Sequence, residues 1–386
     1  MPFRHGIFID EAIEGTRGLV TIASGVIGLV ATAADADAAF FPLNRPVLVT
    51  DVRAALAKAG EQGTLARALE IIGKQCSPIV VVVRVAEGAA AGELSAAEAT
   101  ELNVIGGVTA QGQLTGMQAL LAAEVQLGVR PRIIGAPGLD TLVVAQEIEI
   151  VTQRLRGFSY TGCDDAADVA DAILYRNQFS AREHMLIFPD YTGWSGLAVA
   201  TALGTRARID EQMGPQKTLS NVAVNGVSGI SKDIYFDLQD ASTPAGLLNA
   251  AAVTTLIRQN GYRFWGNRTC SDDPLFAFES TVRVGQVLKD TVAQGLFWAS
   301  DKPMTATLLV DVLETVNAGF RSLAAPGPRQ MILGGKAWFD PSKNPNSDLA
   351  AGKCRIDFDY TVPAPLEDLG VNMQVTDSYY GTLTAG

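Results

Sequence analysis

Ile79–Val85 reads IVVVVRV. It follows Pro78 and runs into an Ala/Gly-rich stretch, so it is too short for a buried helix. Nearly every residue is β-branched, which is the pattern of a strand buried on both faces. Such a strand needs helices above and below it, and its neighbours should therefore alternate between strand and helix. Upstream, Ile22–Ala31 reads as a strand, followed by a loop with Pro42 and Pro46 and a strand at Val47–Thr50. Asp51 is placed to N-cap a helix over Val52–Ala59, and a second helix is expected near Thr64–Gln75. Residues 86–101 (AEGAAAGELSAAEATE) read as a surface connection.

Further on, the spacing predicts helices over Leu114–Gln126, Asp140–Leu155, Asp165–Asn177 and Ala198–Gln212. Strands are expected at Arg132–Ala136, Gly157–Thr161 and His184–Phe188. This alternation means βα units and a largely parallel, three-layer sheet. After about residue 235 the texture changes. Helices are expected over Pro244–Gln259, Arg283–Trp298 and Pro303–Leu323, with Leu308, Val312 and Val316 on one face. Strands are expected at Gly261–Trp265 and Phe276–Ser280. Met331–Phe339 and Lys353–Val362 alternate like two antiparallel strands, with Arg355, Asp357 and Asp359 interleaving Ile356, Phe358 and Tyr360.

Each chain end carries a β-prone piece with nothing local to pair with: His5–Asp10 (HGIFID) and Asn372–Thr376 (NMQVT). A lone strand is unstable in water because its backbone donors and acceptors need partners. The ends are therefore either frayed or lent to another copy as added strands. The fold class is α/β plus α+β in a multidomain chain. It divides into an arm (1–20), a three-layer α/β region with a parallel sheet (21–235, subdivided near 86–103), an α+β unit (236–365) and a second arm (366–386).

The chain has 386 residues, 48% hydrophobic and 18% charged, which argues against intrinsic disorder. Its net charge of −11 makes it a poor general binder of nucleic acid. The uncharged stretch Gly18–Ala34 is too rich in Gly, Ser and Thr for a membrane span, and Asp10, Glu11 and Glu14 are wrong for a signal peptide. A soluble protein made in the cytoplasm is expected. Cys76, Cys163, Cys270 and Cys354 form no close pair and read as free thiols.

The search for chemistry finds no constellation. Gly334-Gly335-Lys336 lacks the frame of a phosphate loop. Gly135–Gly138 sits at a strand end where doubly wound folds bind ligands, but an ordinary turn explains it equally well. Gly193-Trp194-Ser195-Gly196 breaks the nucleophile-elbow spacing, and its nearest base would be His184 with Asp190 between. The pairs Asp164-Asp165 and Asp272-Asp273 lack further ligands and suit turns. Arg258, Arg263 and Arg268 lie in a span (241–271) without an acidic residue, so they form either a solvated patch or a surface for an acidic partner.

Gly261–Glu279 (GYRFWGNRTCSDDPLFAFE) resembles the signature segment of the tail sheath proteins of contractile bacteriophages, a family that includes R-type pyocin and related injection sheaths. Ser24–Asp51, Ile79–Glu87, Gly334–Pro341 and Arg355–Gly370 fit the family in the same order. The resemblance implies a structural subunit without enzymatic activity or cofactor. Such subunits polymerise helically around an inner tail tube, between a baseplate and a tail terminator, and contract to drive the tube through a cell envelope. It places assembly in the host cytoplasm and the product in the virion tail, with neither nucleic acid nor membrane insertion involved. The α/β region would face outward and the C-terminal unit would be the core touching the tube. Strand donors would be His5, Gly6, Ile7, Phe8, Ile9 and Asp10, with Asn372, Met373, Gln374, Val375 and Thr376. The acceptor strand would hold Arg355, Ile356, Asp357, Phe358, Asp359 and Tyr360, and the tube-facing cations would be Arg258, Arg263, Arg268, Lys302 and Arg321. A bacterial injection sheath and, more remotely, an α/β enzyme with an acidic surface are the competing readings.

Overall fold

A computed structural model describes residue 19 and residues 21–380. The His5–Asp10 donor expectation lies outside the described residues. In chain order the first part holds β1 (Ile27–Thr32), β2 (Pro46–Val49), α1 (Val52–Leu56), α2 (Leu65–Gln75), β3 (Val80–Val85) and α3 (Ala96–Ile105). A 3-10 stretch, Gly116–Ala122, runs into α4 (Ala123–Leu127). Then come β4 (Ile133–Gly135), α5 (Leu142–Leu155), β5 (Phe158–Gly162), α6 (Val169–Arg176), β6 (His184–Ile187) and α7 (Leu197–Gln212). After a long irregular stretch follow α8 (Pro244–Ala250), β7 (Val253–Arg258) and β8 (Tyr262–Trp265). The last elements are α9 (Glu279–Gly295), α10 (Ala306–Leu323), β9 (Gly334–Phe339), α11 (Asn346–Ala350) and β10 (Ile356–Thr361).

The main sheet has eight strands in the order β2-β3-β1-β4-β5-β6-β7-β8. The inner strands are parallel, and β2 and β8 close the edges antiparallel. β3, one strand in from the β2 edge, shows why the opening run lies inside the sheet. Val80 and Val82 enter a core shared with Leu69 of α2 and Leu203 of α7, whereas Val81, Val83 and Val85 enter a second core with Ile148 of α5. Alternate valines thus hold helices on both faces. Arg84 interrupts the run at little cost, because its guanidinium donates to Phe41 O (2.6 Å) and Ala33 O (2.9 Å).

Three expectations are corrected. Residues 86–101 are not all connection: Ser95 and Glu98 form a capping box that starts α3, and Val104 at its far end is buried in the second core. The helix expected over Pro244–Gln259 stops at Ala250. The chain turns at Ala252 (φ 59°), and its β-branched residues become β7. Phe276–Ser280 is not a strand. Asp273 caps a 3-10 turn begun by Pro274, and α9 starts at Glu279, ahead of the expected Arg283. β7 and β8 follow residue 235 yet belong to the main sheet, joined through the pair Leu186↔Val253.

His184 is buried in the sheet between the hydroxyls of Ser159 (2.8 Å) and Thr161 (3.0 Å), stacked on Phe179. Burial pushes its imidazole down to about 3. An unfolded histidine takes up a proton near pH 6.5, and the folded one resists until much lower pH. The stability owed to neutral His184 is therefore complete above pH 6.5 and is lost as pH falls towards 3. His184→Gln should be less stable at pH 7 but lose less of its stability between pH 6.5 and 4, as read by denaturant midpoints across that range. Equal slopes for both proteins would contradict the burial account.

Candidate assembly site: the small sheet and the chain ends

β9 and β10 form a separate two-stranded antiparallel sheet, with Phe358 opposite Ala337. An isolated pair of strands is marginal in water, and here α9 and α10 support it. Val284, Val287 and Leu288 of α9, Val316 and Phe320 of α10, and Met331, Ile332 and Ala337 make a third core. Ile356, Phe358 and Tyr360 pack against it, yet all three stay only half-buried. Phe320 and Phe358 meet ring to ring at 5.5 Å. Among the described residues no third strand lies beyond β10. The expected acceptor residues are therefore on a real strand, except Arg355, which just precedes it.

The expected donor Asn372–Thr376 is not a strand in the single chain, and residues 366–380 are exposed throughout. Its side chains carry a period the shorter expectation missed. Leu369, Val371, Met373 and Val375 are 70%, 80%, 90% and 90% exposed, while Gly370, Asn372 and Gln374 fall between them and Thr376 follows. This alternation is that of a strand with one apolar face, and here that face is uncovered.

Near each end of the described chain a residue is anchored on the body. Leu19 lies between α9 and α10, where Gly295 and Gly319 have no side chain; a Cβ on either glycine would overlap the leucine. The next turn of chain is held by Ile22, which packs on the third core. Gly319→Val should cost about 1–3 kcal/mol by overpacking, and adding Leu19→Ala should recover part of that loss. A denaturant midpoint that Leu19→Ala does not raise in the Gly319→Val background would remove Leu19 as the obstacle. At the other end, Glu367 binds Arg268 (2.8 Å), just before the exposed tail.

α9 ties this unit to the main sheet. Its polar residues Glu279, Arg283, Gln286 and Asp290 fall on one helical face. Glu279 binds Arg206 of α7 (3.0 Å), accepts from Tyr160 of β5, and accepts the Leu219 N–H (2.8 Å). Arg283 binds Asp210 of α7, which also pairs with Arg206 (2.6 Å). Gln286 donates to Gly157 O (2.7 Å). Asp290 binds Arg132 and Arg156, the latter at 2.6 Å. Arg206, Asp210 and Glu279 are essentially inaccessible to solvent. Sequence reading missed this beam because it took Glu279 for a strand residue; the 4-3-4 spacing of the polar residues was the available signal.

The five expected tube-facing cations differ in how far their own chain engages them. Arg258 is exposed at the end of β7 over the Tyr262 ring, and Arg263 donates to Gln259 O (2.8 Å) and Asn221 O (2.9 Å). Arg268 is held by Glu367, Arg321 pairs with Glu314, and Lys302 is exposed over Trp298 (4.5 Å). The acidic partner of Arg268 comes from far outside the 241–271 span, so local composition could not reveal it.

Of the residues weighed for chemistry, Gly138, Asp164, Asp165, Asp190 and Ser195 line one cavity, whereas His184 lies outside its lining. His184 is bonded to Ser159 and Thr161, and Asp190 accepts the N–H groups of Gly196 (2.6 Å) and Ala198 (2.6 Å) at the start of α7. Asp140 accepts Gly162 N–H (2.6 Å) at the strand ends, and burial pushes it up to about 6. Asp272 pairs with Arg176 (3.6 Å), and Asp273 caps a turn. The four cysteines are free, with burial pushing Cys76 up to about 11 and Cys270 to about 12. No helix among the described residues is long and apolar enough to cross a membrane.

Comparison with known proteins gives consistent matches. Residues 24–85 match the tail sheath protein Gp18 domain III N-terminal region, residues 112–270 the phage tail sheath protein central domain, and residues 271–376 the phage tail sheath C-terminal domain. The chain is 47% identical to the tail sheath protein of Escherichia phage P2, covering 99% of this chain and 98% of that one. It is 43% identical to the major tail sheath protein of Serratia phage KSP20, covering 98% and 96%. Among solved structures it superposes on the contracted PVC sheath of an extracellular contractile injection system (TM-score 0.69, 13% identity, 99% of both chains). It also superposes on the contracted helical sheath of the anti-feeding prophage (TM-score 0.68, 14% identity, 97% and 99%).

Proposed function

This chain belongs to the phage tail sheath protein family, and from that premise we propose that its copies are stitched into a helical sheath by chain ends lent to neighbouring β9–β10 sheets. The protein is a structural subunit of a contractile sheath, and its work is mechanical. The observation that carries the stitching is a pair of incomplete surfaces. A two-stranded sheet with half-buried Ile356, Phe358 and Tyr360 coexists with a tail whose alternate apolar side chains are uncovered. The donor at one end is Asn372–Thr376 extended back to Leu369; at the other it is His5–Asp10. A contact between unlike surfaces that does not close on itself generates an open helix.

Backbone pairing suits a contractile lattice. Each hydrogen bond is worth about 0.5–1.5 kcal/mol net, so several per arm hold neighbours together while the bodies turn about the roots at Leu19 and Glu367. Contraction then gains from new body-to-body burial, at about 25 cal/mol per Å² of apolar area. The sheath surrounds an inner tube and spans from baseplate to terminator. The region from 236 to 365 faces the tube and the α/β region faces outward, with Arg258, Arg263, Arg268, Lys302 and Arg321 on the tube side. Arg258 and Lys302 can be changed without removing an ion pair described above. Arg258→Glu with Lys302→Glu should lower coassembly with the tube at least several-fold, by cosedimentation, with unchanged thermal stability; undiminished coassembly would take these residues off the tube surface. A phage tail is favoured over a bacterial injection sheath because both full-length relatives described above come from phages. Negative-stain microscopy of purified protein should show striated hollow cylinders; a monodisperse small oligomer under all assembly conditions would contradict the reading.

A further inference from the structure

We infer that Asn317 closes the outer edge of β9, so that a strand lent by a second copy pairs with β10 and not with β9. The inference rests on the strand-lending reading above and adds to it which edge is used and which residue decides. Asn317 lies on α10. Its Nδ2 donates to Ala337 O (3.1 Å), and Ala337 N–H donates to its Oδ1 (2.8 Å). The carboxamide thus takes the place of a peptide group on the middle residue of β9.

This pairing also fixes which way the backbone of β10 points. In an antiparallel ladder, residues alternate between exchanging hydrogen bonds with the partner strand and turning them outward. Ala337 gives both its groups to Asn317, so the Ala337↔Phe358 pair is of the outward kind. Phe358 therefore turns its own N–H and C=O away from β9, and so do Ile356 and Tyr360, two residues either side. Arg355 has the opposite parity and agrees. Its N–H donates to Asn344 Oδ1 (2.7 Å), and Asn344 Nδ2 donates to both Arg355 O (3.0 Å) and Asp340 O (2.8 Å), on the side where β9 ends. On β9 Asn317 occupies the middle of the outward row, between Gly335 and Phe339, whereas on β10 the whole outward row of Ile356, Phe358 and Tyr360 is open among the described residues.

The side chains identify the occupant as residues 369–376 of a second copy. A strand laid against β10 would set Leu369, Val371, Met373 and Val375 beside half-buried Ile356, Phe358 and Tyr360, over α9 and α10. Its uncharged face of Asn372, Gln374 and Thr376 would lie beside Asp357 and Asp359 without like-charge repulsion.

Disulfide trapping in assembled full-length protein tests this. Cys354→Ser removes the exposed thiol. Asn372→Cys, Gln374→Cys or Thr376→Cys is then combined with Asp359→Cys on β10 or Lys336→Cys on β9. Strands lie about 4.8 Å apart, so a strand beyond β10 is about 10 Å from Lys336, outside the roughly 7 Å Cα reach of a disulfide. At least one arm position should link to position 359, and linking to 336 should be at least tenfold lower. Asn317→Ala should raise linking to 336 several-fold, whereas Asn317→Gln should raise it less. Equal linking to 336 and 359 with Asn317 in place overturns the inference, as does an Asn317→Ala protein that assembles with linking unchanged. Should Asn317→Ala fail to fold, the comparison of 336 with 359 decides alone. If long polymers form and neither site links, strand lending by this tail fails, and the edge choice with it.

Discussion

Truncation after Asp368 yields a folded monomer that does not polymerise. Residues 369–380 are exposed, and the truncation keeps the Arg268–Glu367 pair and the third core. The expected thermal midpoint lies within a few degrees of the full chain, while sedimentable polymer falls by at least a hundredfold. The loss is large because a helical lattice multiplies the same defect at every subunit, whereas an isolated chain never uses the tail. Replacing Val371, Met373 and Val375 together with Ser should act in the same direction but less completely. It keeps the backbone hydrogen bonds and removes the apolar burial, worth about 1.5–3 kcal/mol for each fully covered side chain. Long sheaths formed by the truncated protein would show that this tail does not join subunits.

Glu279→Ala has the opposite profile and damages the subunit itself. The carboxylate lies beside Arg206 at 3.0 Å with both side chains fully buried, and it also holds Tyr160 and the Leu219 N–H. Removing it leaves a buried guanidinium with one carboxylate fewer, a change that costs about 3–5 kcal/mol in comparable buried pairs. Arg206→Met combined with Glu279→Leu removes one charge of each sign and leaves Asp210 paired with Arg283. The double variant should therefore be more stable than Glu279→Ala, as measured by denaturant midpoint. A double variant no better than the single one would mean that packing, and not charge pairing, sets the stability of this contact. Because α9 bears the third core on its other face, softening this contact should also lower polymer yield.

The central sheet was legible because Val80–Val85 could be buried only on both faces, and the two cores divide its valines alternately. The small sheet was legible from the alternation around Phe358, and the register bears out the antiparallel pairing. The misread segments share a cause. Phe276–Ser280 alternates like a strand, but the Asp273–Pro274 turn and the polar spacing along α9 override that local pattern. Contacts made at long range left no local trace. Glu367 finds Arg268, Leu19 enters the gap at Gly295 and Gly319, and Asn317 takes the place of a strand on Ala337. Each depends on packing that brings together residues distant in the chain. Among the expected tube-facing residues, Arg263 and Arg268 are engaged with their own chain for the same reason.

The most direct measurement is a near-atomic cryo-EM map of the assembled sheath, with the chain traced from Glu367 to its C-terminus. The account predicts that residues 369–376 cross to another copy and run as a strand along β10 of that copy, with Asn317 still bonded to Ala337. A tail folded back onto its own body in every subunit of an intact cylinder would contradict it.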